Sequence, residues 1–361
     1  MRHLLRARLL LTAALAAFLI LALWPAAAAG HGRQVTAMTR NLFVGTDLAP
    51  IFSAQTLPQL VGATTTAFLE VQATRFPERA QAIADEIAAT RPDVVGLQEA
   101  MLIRTDAPAD GPATPAETLA YDYLETLLAA LAARGLDYEA VAVVTNADNE
   151  LPTALGFDVR ATDRDAILVN RGRRPRLKVS NAQAGNYLAR VTFPTIAGPI
   201  AFPRGWTSID VKLRGQRFRV VNTHLEAFSG AVQVAQAAEL LAGPAATSLR
   251  MLLVGDFNSR ADGTGTPTYG LLRGAGFADA WGDVHPGDPG LTCCWETHLL
   301  SPLPPFDERI DLVLARGSFR ALRAEIVGED AVADRTPSGL FHSDHAGVVA
   351  ALRLGRRGPS E

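Results

Sequence analysis

The chain has 361 residues, 48% of them hydrophobic, and a formal net charge of −3. That composition supports a large buried core and argues against disorder, and no fixed repeat period points to a solenoid. A strong duplex-binding surface normally needs a basic face, so the acidic balance weighs against one. It leaves a local basic groove open: Arg171, Arg173, Arg174, Arg176 and Lys178 read either as a solvated strand edge or as a phosphate track.

Arg2, Arg6 and Arg8 precede an apolar run from Leu9 to Trp24, then Pro25 and small residues to Ala29. This order fits a secretory signal over residues 1–29, cut near Ala29; an uncleaved anchor is the alternative, since residues 9–29 approach the ~20 residues of a membrane span. Export to the extracellular space or periplasm is the expectation. Losing this segment removes three arginines and no acid, leaving the rest more acidic still.

Gln34 to Leu42 alternates as a strand does, and the Pro/Gly/Thr-bearing stretch to about Arg75 does not read as one regular element. Pro77 opens a helix, with Ala80, Ile83, Ala84, Ile87 and Ala88 at helical spacing, and Pro92 ends it. Val94 to Leu97 is a short apolar strand. A second helix is expected over about Ala116 to Arg134, from the fourfold spacing of Leu119, Tyr123, Leu127 and Leu131. Strand-like runs follow at Tyr138–Val144, Ala166–Val169, Trp206–Leu213 and Arg217–Thr223, the last two forming a hairpin about Gly215. Ala231–Leu241 reads as a helix, and Met251–Val254, Ile310–Leu314 and Ala346–Leu352 as strands. This mixture predicts mixed sheets flanked by helices in one domain over residues 33–354, with a tail at 355–361.

Cys293 and Cys294 are the only cysteines, and they are adjacent. Two neighbouring thiols cannot close a long loop or build a four-ligand zinc site. Half-buried thiols are the expectation, with a vicinal disulfide near the site as the alternative.

Polar residues collect where strands end. Asn41, Glu99, Asn222 to His224, Asp256 to Asn258, and Asp311 each sit at the end of a strand-like run, and Ser343 to His345 lead into the last one. Such positions fix a side chain on a rigid sheet while loops admit a ligand. Neither a P-loop nor a Gly-x-Ser-x-Gly elbow is present. Carboxylates and amides suit a hard divalent cation, and histidines beside them suit proton transfer and charge stabilisation at a phosphate. Metal-assisted attack of water on phosphorus is the chemistry this inventory serves.

The series TRNL, GLQE, VNTHLE, LLVGDFNS, ERIDLVL and SDHAGV resembles the endonuclease/exonuclease/phosphatase superfamily, in its order and over the whole chain beyond the signal. The resemblance implies an α/β four-layer sandwich, two packed mixed β-sheets flanked by helices as in DNase I, with the site at one edge. It implies that Glu99 is the main metal-binding carboxylate, with Asn41 and Asp344 beside the cation. His345 matches the general base and Asp311 the carboxylate that orients it. Asp256 and Asn258 match the pair that positions water and a phosphate oxygen, and His224 the histidine that donates to the phosphate. Arg164 and Asn222 are candidate substrate contacts, Arg164 equally readable as a surface ion pair and Asn222 as a brace for the strand carrying His224. Mg²⁺ is the expected cofactor, with Mn²⁺ and Ca²⁺ as alternatives. The substrate is expected to be nucleic acid, a phospholipid or sphingomyelin head group, or a soluble phosphoester such as an inositol phosphate, nuclease activity leading. No protein partner is implied, a monomer is expected, and a non-catalytic binding protein on the same fold is the rival of a different class.

Overall fold

A computed structural model describes residues 33–173, 177–294, 296–301 and 306–355. The expected signal at 1–29 and nearly all of the tail lie outside them. Among the described residues, no helix is long and apolar enough to cross a membrane.

In chain order the elements are β1 (Gln34–Asn41), α1 (Ala49–Phe52), α2 (Leu57–Ala73), α3 (Phe76–Thr90), β2 (Val94–Gln98), β3 (Leu102–Asp106), β4 (Thr118–Asp122) and α4 (Tyr123–Ala133). There follow β5 (Tyr138–Pro152), β6 (Asp158–Asn170), β7 (Leu177–Asn186), β8 (Val191–Thr195), β9 (Gly198–Phe202), β10 (Gly205–Leu213), β11 (Gln216–His224) and α5 (Gly230–Ala242). The chain continues through β12 (Arg250–Asp256), α6 (Thr268–Gly274), β13 (Ala278–Asp279), α7 (Ala280–Val284), β14 (Asp311–Arg316), β15 (Phe319–Val327) and β16 (Gly347–Leu354).

Two mixed sheets result. One runs β15-β16-β1-β2-β6-β3-β4, with β5 also paired to β6; the other runs β13-β14-β12-β11-β10-β7. The β1/β2 and β11/β12 pairs are parallel and their neighbours antiparallel. Strand alternation builds the layers. Val35, Ile167, Val220, Val254 and Val348 fill the space between the sheets. Met38, Leu97, Leu168 and the apolar faces of α3 and α4 pack on the outside of the first sheet, while Val221, Leu253, Leu314, α5 and α6 pack on the outside of the second. This is the expected four-layer α/β sandwich. The sheets meet most closely at Gly96, where a Cβ would stand 2.5 Å from Asn222 Oδ1 and 2.6 Å from Val254 Cγ2.

Several elements differ from the sequence-based expectation. The stretch 42–75 contains α2, whose start is a capping box: the Thr56 hydroxyl accepts from Gln59 N and the Gln59 side chain accepts from Thr56 N. The helix expected from Ala116 starts only at Tyr123, because Asp122 caps it by accepting from Glu125 N, 3.1 Å away. Residues 118–122 instead form edge strand β4 on β3, leaving Leu119 exposed rather than on the helix. The expected strands at 138–144 and 166–169 are the inner ends of a long β5–β6 ribbon. Strands β3, β7, β8, β9 and β15 have no counterpart among the expected elements.

Parallel and antiparallel register together decide where the site lies. Asn41 pairs with Gln98, His224 with Asp256, and Asp256 with Asp311. The C-terminal ends of β1, β2, β11 and β12 therefore meet the N-terminal ends of the antiparallel strands β14 and β16 at one edge of the sandwich.

Candidate active site

At that edge Asn41, fully buried, bridges the two sheets: its Nδ2 donates to Glu99 Oε1 at 3.2 Å and to Asp256 Oδ2 at 3.1 Å. Its own oxygen accepts from Phe43 N at 2.8 Å. Glu99 follows β2 in the left-handed region, φ 56°, and accepts from Val44 N with its second oxygen. Buried Arg79 shapes the loop that supplies this amide, donating to Leu42 O, Phe43 O, Thr74 O and His342 O.

On the other side, His345 Nδ1 donates to Asp311 Oδ2 at 2.9 Å. Asp256 accepts from Asn258 N at 2.9 Å and stands 3.5 Å from His224 Nε2 and 3.8 Å from His345 Nδ1. The Asn258 side chain donates to Leu225 O. Arg204 donates to His224 Nδ1 at 3.1 Å and reaches Asp163 Oδ2 at 3.4 Å. Because an arginine cannot accept, His224 Nδ1 is the acceptor and its proton sits on Nε2.

The electrostatics match this assignment. Burial, reinforced by the cations Arg204 and His345, pushes His224 well below the usual imidazole range and keeps it neutral. Burial opposes protonation of His345 as well, but Asp311, Asp344 and Asp256 outweigh it and hold that imidazole well above its ordinary value. Glu99 is raised by burial and by Asp163, and Asp165 well raised by burial and by Asp163. Asp256 and Asp344 are each pushed to about 6, chiefly by burial, with Asp311 and Glu99 respectively adding repulsion. Asp311 Oδ1, Asp163 Oδ1 and Asp165 Oδ1 are buried without a hydrogen-bond partner. So much carboxylate oxygen short of positive charge fits a hard divalent cation.

Glu99, His224, Asp256, Asn258, Asp344 and His345 all line one cavity of ≈ 340 Å³. Arg164 and Asn222 do not, and the substrate contacts expected of them are corrected; the fully buried Asn41 and Asp311 do not line it either and act through Glu99, Asp256 and His345. The Arg164 guanidinium is occupied by Ala100 O, Met101 O and the Asp122 carboxylate, because alternation along β6 turns it away from the face that Asp163 and Asp165 occupy. Asn222 lies between the sheets, donating to Leu97 O and Ala166 O and accepting from Gln98 Nε2.

Sequence reasoning missed the Asp163–Arg204 pair and a buried network in which Arg40 donates to His345 O and pairs with Glu86, which also meets His342 Nδ1 at 2.6 Å. His342 thus braces the segment carrying His345. The cysteines are also corrected: Cys293 and Cys294 are joined in a vicinal disulfide across a cis peptide, Cys293 being fully buried with its sulfur 3.6 Å from His345 Nε2. Their loop is pinned on both sides, by Cys293 N to Glu308 O and by Ala346 N to Thr292 O.

Comparisons with known proteins agree with this architecture. The model of the endonuclease/exonuclease/phosphatase family matches residues 66–345. No curated protein matches the sequence. An endonuclease/exonuclease/phosphatase family protein from Bacteroides thetaiotaomicron superposes with a TM-score of 0.54 at 15% identity, over 90% of this chain and 98% of that one. An endonuclease/exonuclease/phosphatase from Beutenbergia cavernae gives 0.53 at 23% identity, over 90% and 72%. A mannosyl-6-phosphatase from Bacteroides thetaiotaomicron gives 0.54 at 16%, over 89% and 100%. Since the family match spans most of its length, this chain belongs to the endonuclease/exonuclease/phosphatase family, whose members are hydrolases acting on phosphoester bonds.

Proposed function

We propose that the protein is a divalent-metal-dependent phosphoesterase that hydrolyses its ester by direct attack of water. The observation that carries this reading is the convergence of Glu99, His224, Asp256, Asn258, Asp344 and His345 on one cavity, with His345 hydrogen-bonded to the buried Asp311 and the buried Asn41 tying Glu99 to Asp256.

Glu99 and Asp344 are the residues assigned to hold the cation, Mg²⁺ by preference, with Asn41 beside them donating its Nδ2 to Glu99. Asp256, Asp311 and His345 also bring ligand-type atoms within 4.8 Å of one another, but the His345–Asp311 hydrogen bond supports assigning that pair to proton transfer. When bound, a divalent cation supplies Lewis-acid polarisation of a phosphoryl oxygen and offsets the surrounding carboxylate charge.

The protein's own groups supply the rest. Asp311 fixes the His345 tautomer, and once a bound cation offsets the carboxylates that hold this imidazole protonated, Nε2 is free to take a proton from water as the water oxygen bonds to phosphorus. Asp256 orients that water. The phosphorus–ester oxygen bond breaks in line, and the departing oxygen takes its proton from solvent water. Neutral His224, its proton fixed on Nε2 by Arg204, and the second N–H of the Asn258 amide donate to the phosphoryl oxygens as charge builds there. No side chain becomes covalently attached.

Hydrolysis of bis-(p-nitrophenyl) phosphate, plasmid DNA, RNA, sphingomyelin and inositol phosphates with Mg²⁺, Mn²⁺ or Ca²⁺ tests the reading. Metal-stimulated turnover of one of them, abolished by chelator, is expected. Chelator-resistant turnover would refute the metal assignment, and absence of turnover with every metal would favour a binding protein. Nuclease activity, foremost among the expectations from sequence, is one arm of this panel.

A further inference from the structure

The catalytic side chains occupy only one end of the cavity. Beyond them its wall turns apolar, continuing past Met101 and Ile103 to Ile51, Phe68 and Leu151. The change happens at Arg204. Its guanidinium carbon lies 4.7 Å over the ring of Phe202, while its nitrogens hold His224 and Asp163. Phe202 meets Phe52 edge-on at 5.7 Å and Phe228 at 6.0 Å, and Phe193 stacks on the far face of this group, 3.9 Å from Phe52. An aromatic wall therefore begins one side chain away from the histidine assigned to the phosphate.

That wall is drawn from separate parts of the chain. Phe193 and Phe202 belong to the β8–β9 hairpin, which forms a small sheet of its own. Phe52 ends the short helix α1, and Phe228 lies four residues beyond His224, 46% exposed. Apolar and aromatic side chains around a cavity of this size are the usual lining of a small-molecule site. The charge pattern points the same way. Among the described residues lining the cavity, Arg204 is the only lysine or arginine, and it is already paired with Asp163. An extended polyanion would need a track of free cations leading away from the reacting phosphate. The cavity offers room for one phosphoryl group and, next to it, a surface for something without charge.

We infer that the substrate is a phosphoester bearing a compact alkyl or aryl group, which sits in the pocket walled by Phe52, Phe202 and Phe228 while its phosphoryl group lies against His224 and Glu99. The inference rests on the phosphoesterase reading and adds the substrate class to it. Burial of the apolar group accounts for recognition, and Phe228, at the exposed side of the wall, covers it.

The test is inhibition of bis-(p-nitrophenyl) phosphate hydrolysis by alkylphosphonic acids from methyl to octyl, with metal present. Each methylene buried should tighten Ki by roughly three- to fourfold until the pocket is full. Phe202→Ala and Phe228→Ala should flatten that slope, a readout that partial loss of folded enzyme does not mimic. A Ki independent of chain length, or plasmid DNA hydrolysed with higher kcat/KM than any alkyl or aryl ester, would overturn the inference while leaving the phosphoesterase reading intact. If neither these esters nor any other phosphoester of the panel, nucleic acid included, is hydrolysed with any metal, it is that reading which fails. A dissolved ester and a membrane lipid share the proposed chemistry; comparing a short-chain phospholipid below its aggregation concentration with phosphatidylcholine vesicles separates them. Turnover of either form supports the pocket, and turnover of neither, with no alkyl ester cleaved, contradicts it.

Discussion

Replacing Asn222 by alanine separates bracing from substrate contact. Asn222 is fully buried where the two sheets meet, and its side chain makes three hydrogen bonds to the first sheet: to Leu97 O at 3.0 Å, to Ala166 O at 3.2 Å and from Gln98 Nε2 at 2.6 Å. At about 1 kcal/mol net per bond, the substitution should cost roughly 3 kcal/mol. The same bonds set Gln98, and with it Glu99, against the strand that delivers His224. Some loss of kcat is therefore expected with little change in KM, since no Asn222 atom faces the cavity. Urea unfolding followed by circular dichroism gives the stability change, and initial rates over a range of bis-(p-nitrophenyl) phosphate give the kinetic split. A variant within about 0.5 kcal/mol of the parent, a difference typical of surface substitutions, but with KM raised tenfold, would refute this reasoning and restore Asn222 as a substrate contact.

Asp311→Asn should preserve the fold yet lower kcat by about 10³- to 10⁴-fold, because an amide cannot hold His345 in the same tautomer; pre-steady-state rates check this, and a loss below tenfold would contradict it. Gly96→Ala places a Cβ against Asn222 and Val254 and should destabilise by about 1–3 kcal/mol in urea melts, with no effect contradicting the close approach of the sheets. In metal-free protein Asp256 and Asp344 should contribute a loss of stability as pH rises, opposed by the buried neutral His224. The folded state raises Asp256 and Asp344 to about 6, above the ~3.9 of an unfolded aspartate, so their contribution is complete below about pH 4 and is lost as pH climbs through 6. Across pH 5 to 7 the Tm of Asp344→Asn should gain on that of the parent, and Mg²⁺ should reduce this difference; an identical pH dependence in that variant would count against the assignment.

The core strands were legible because they carry unmixed periodicity. Val94 to Leu97 and Met251 to Val254 are buried on both faces and read as short apolar runs, each delivering a polar group at its end. Partly exposed strands were harder. In β7 and β15 most side chains face solvent in part, so neither shows an unbroken apolar face. Thr118 to Asp122 borrowed the helical spacing of Leu119 with Tyr123, and only pairing with β3 makes it a strand. The site followed the same division. Residues at strand ends were readable one by one, whereas Arg204, Asn146 and Glu86 act through partners distant in sequence. One signal was available: had the strand ending in Ala166–Val169 been extended backwards, alternation alone would have put Asp163 and Asp165 on one face and Arg164 on the other.

The rate of bis-(p-nitrophenyl) phosphate hydrolysis by His345→Ala at saturating Mn²⁺ tests the proton-transfer assignment most directly. With the imidazole 2.9 Å from Asp311 gone, turnover should fall at least ~10²-fold while the protein still binds metal. A rate equal to that of the parent would contradict it.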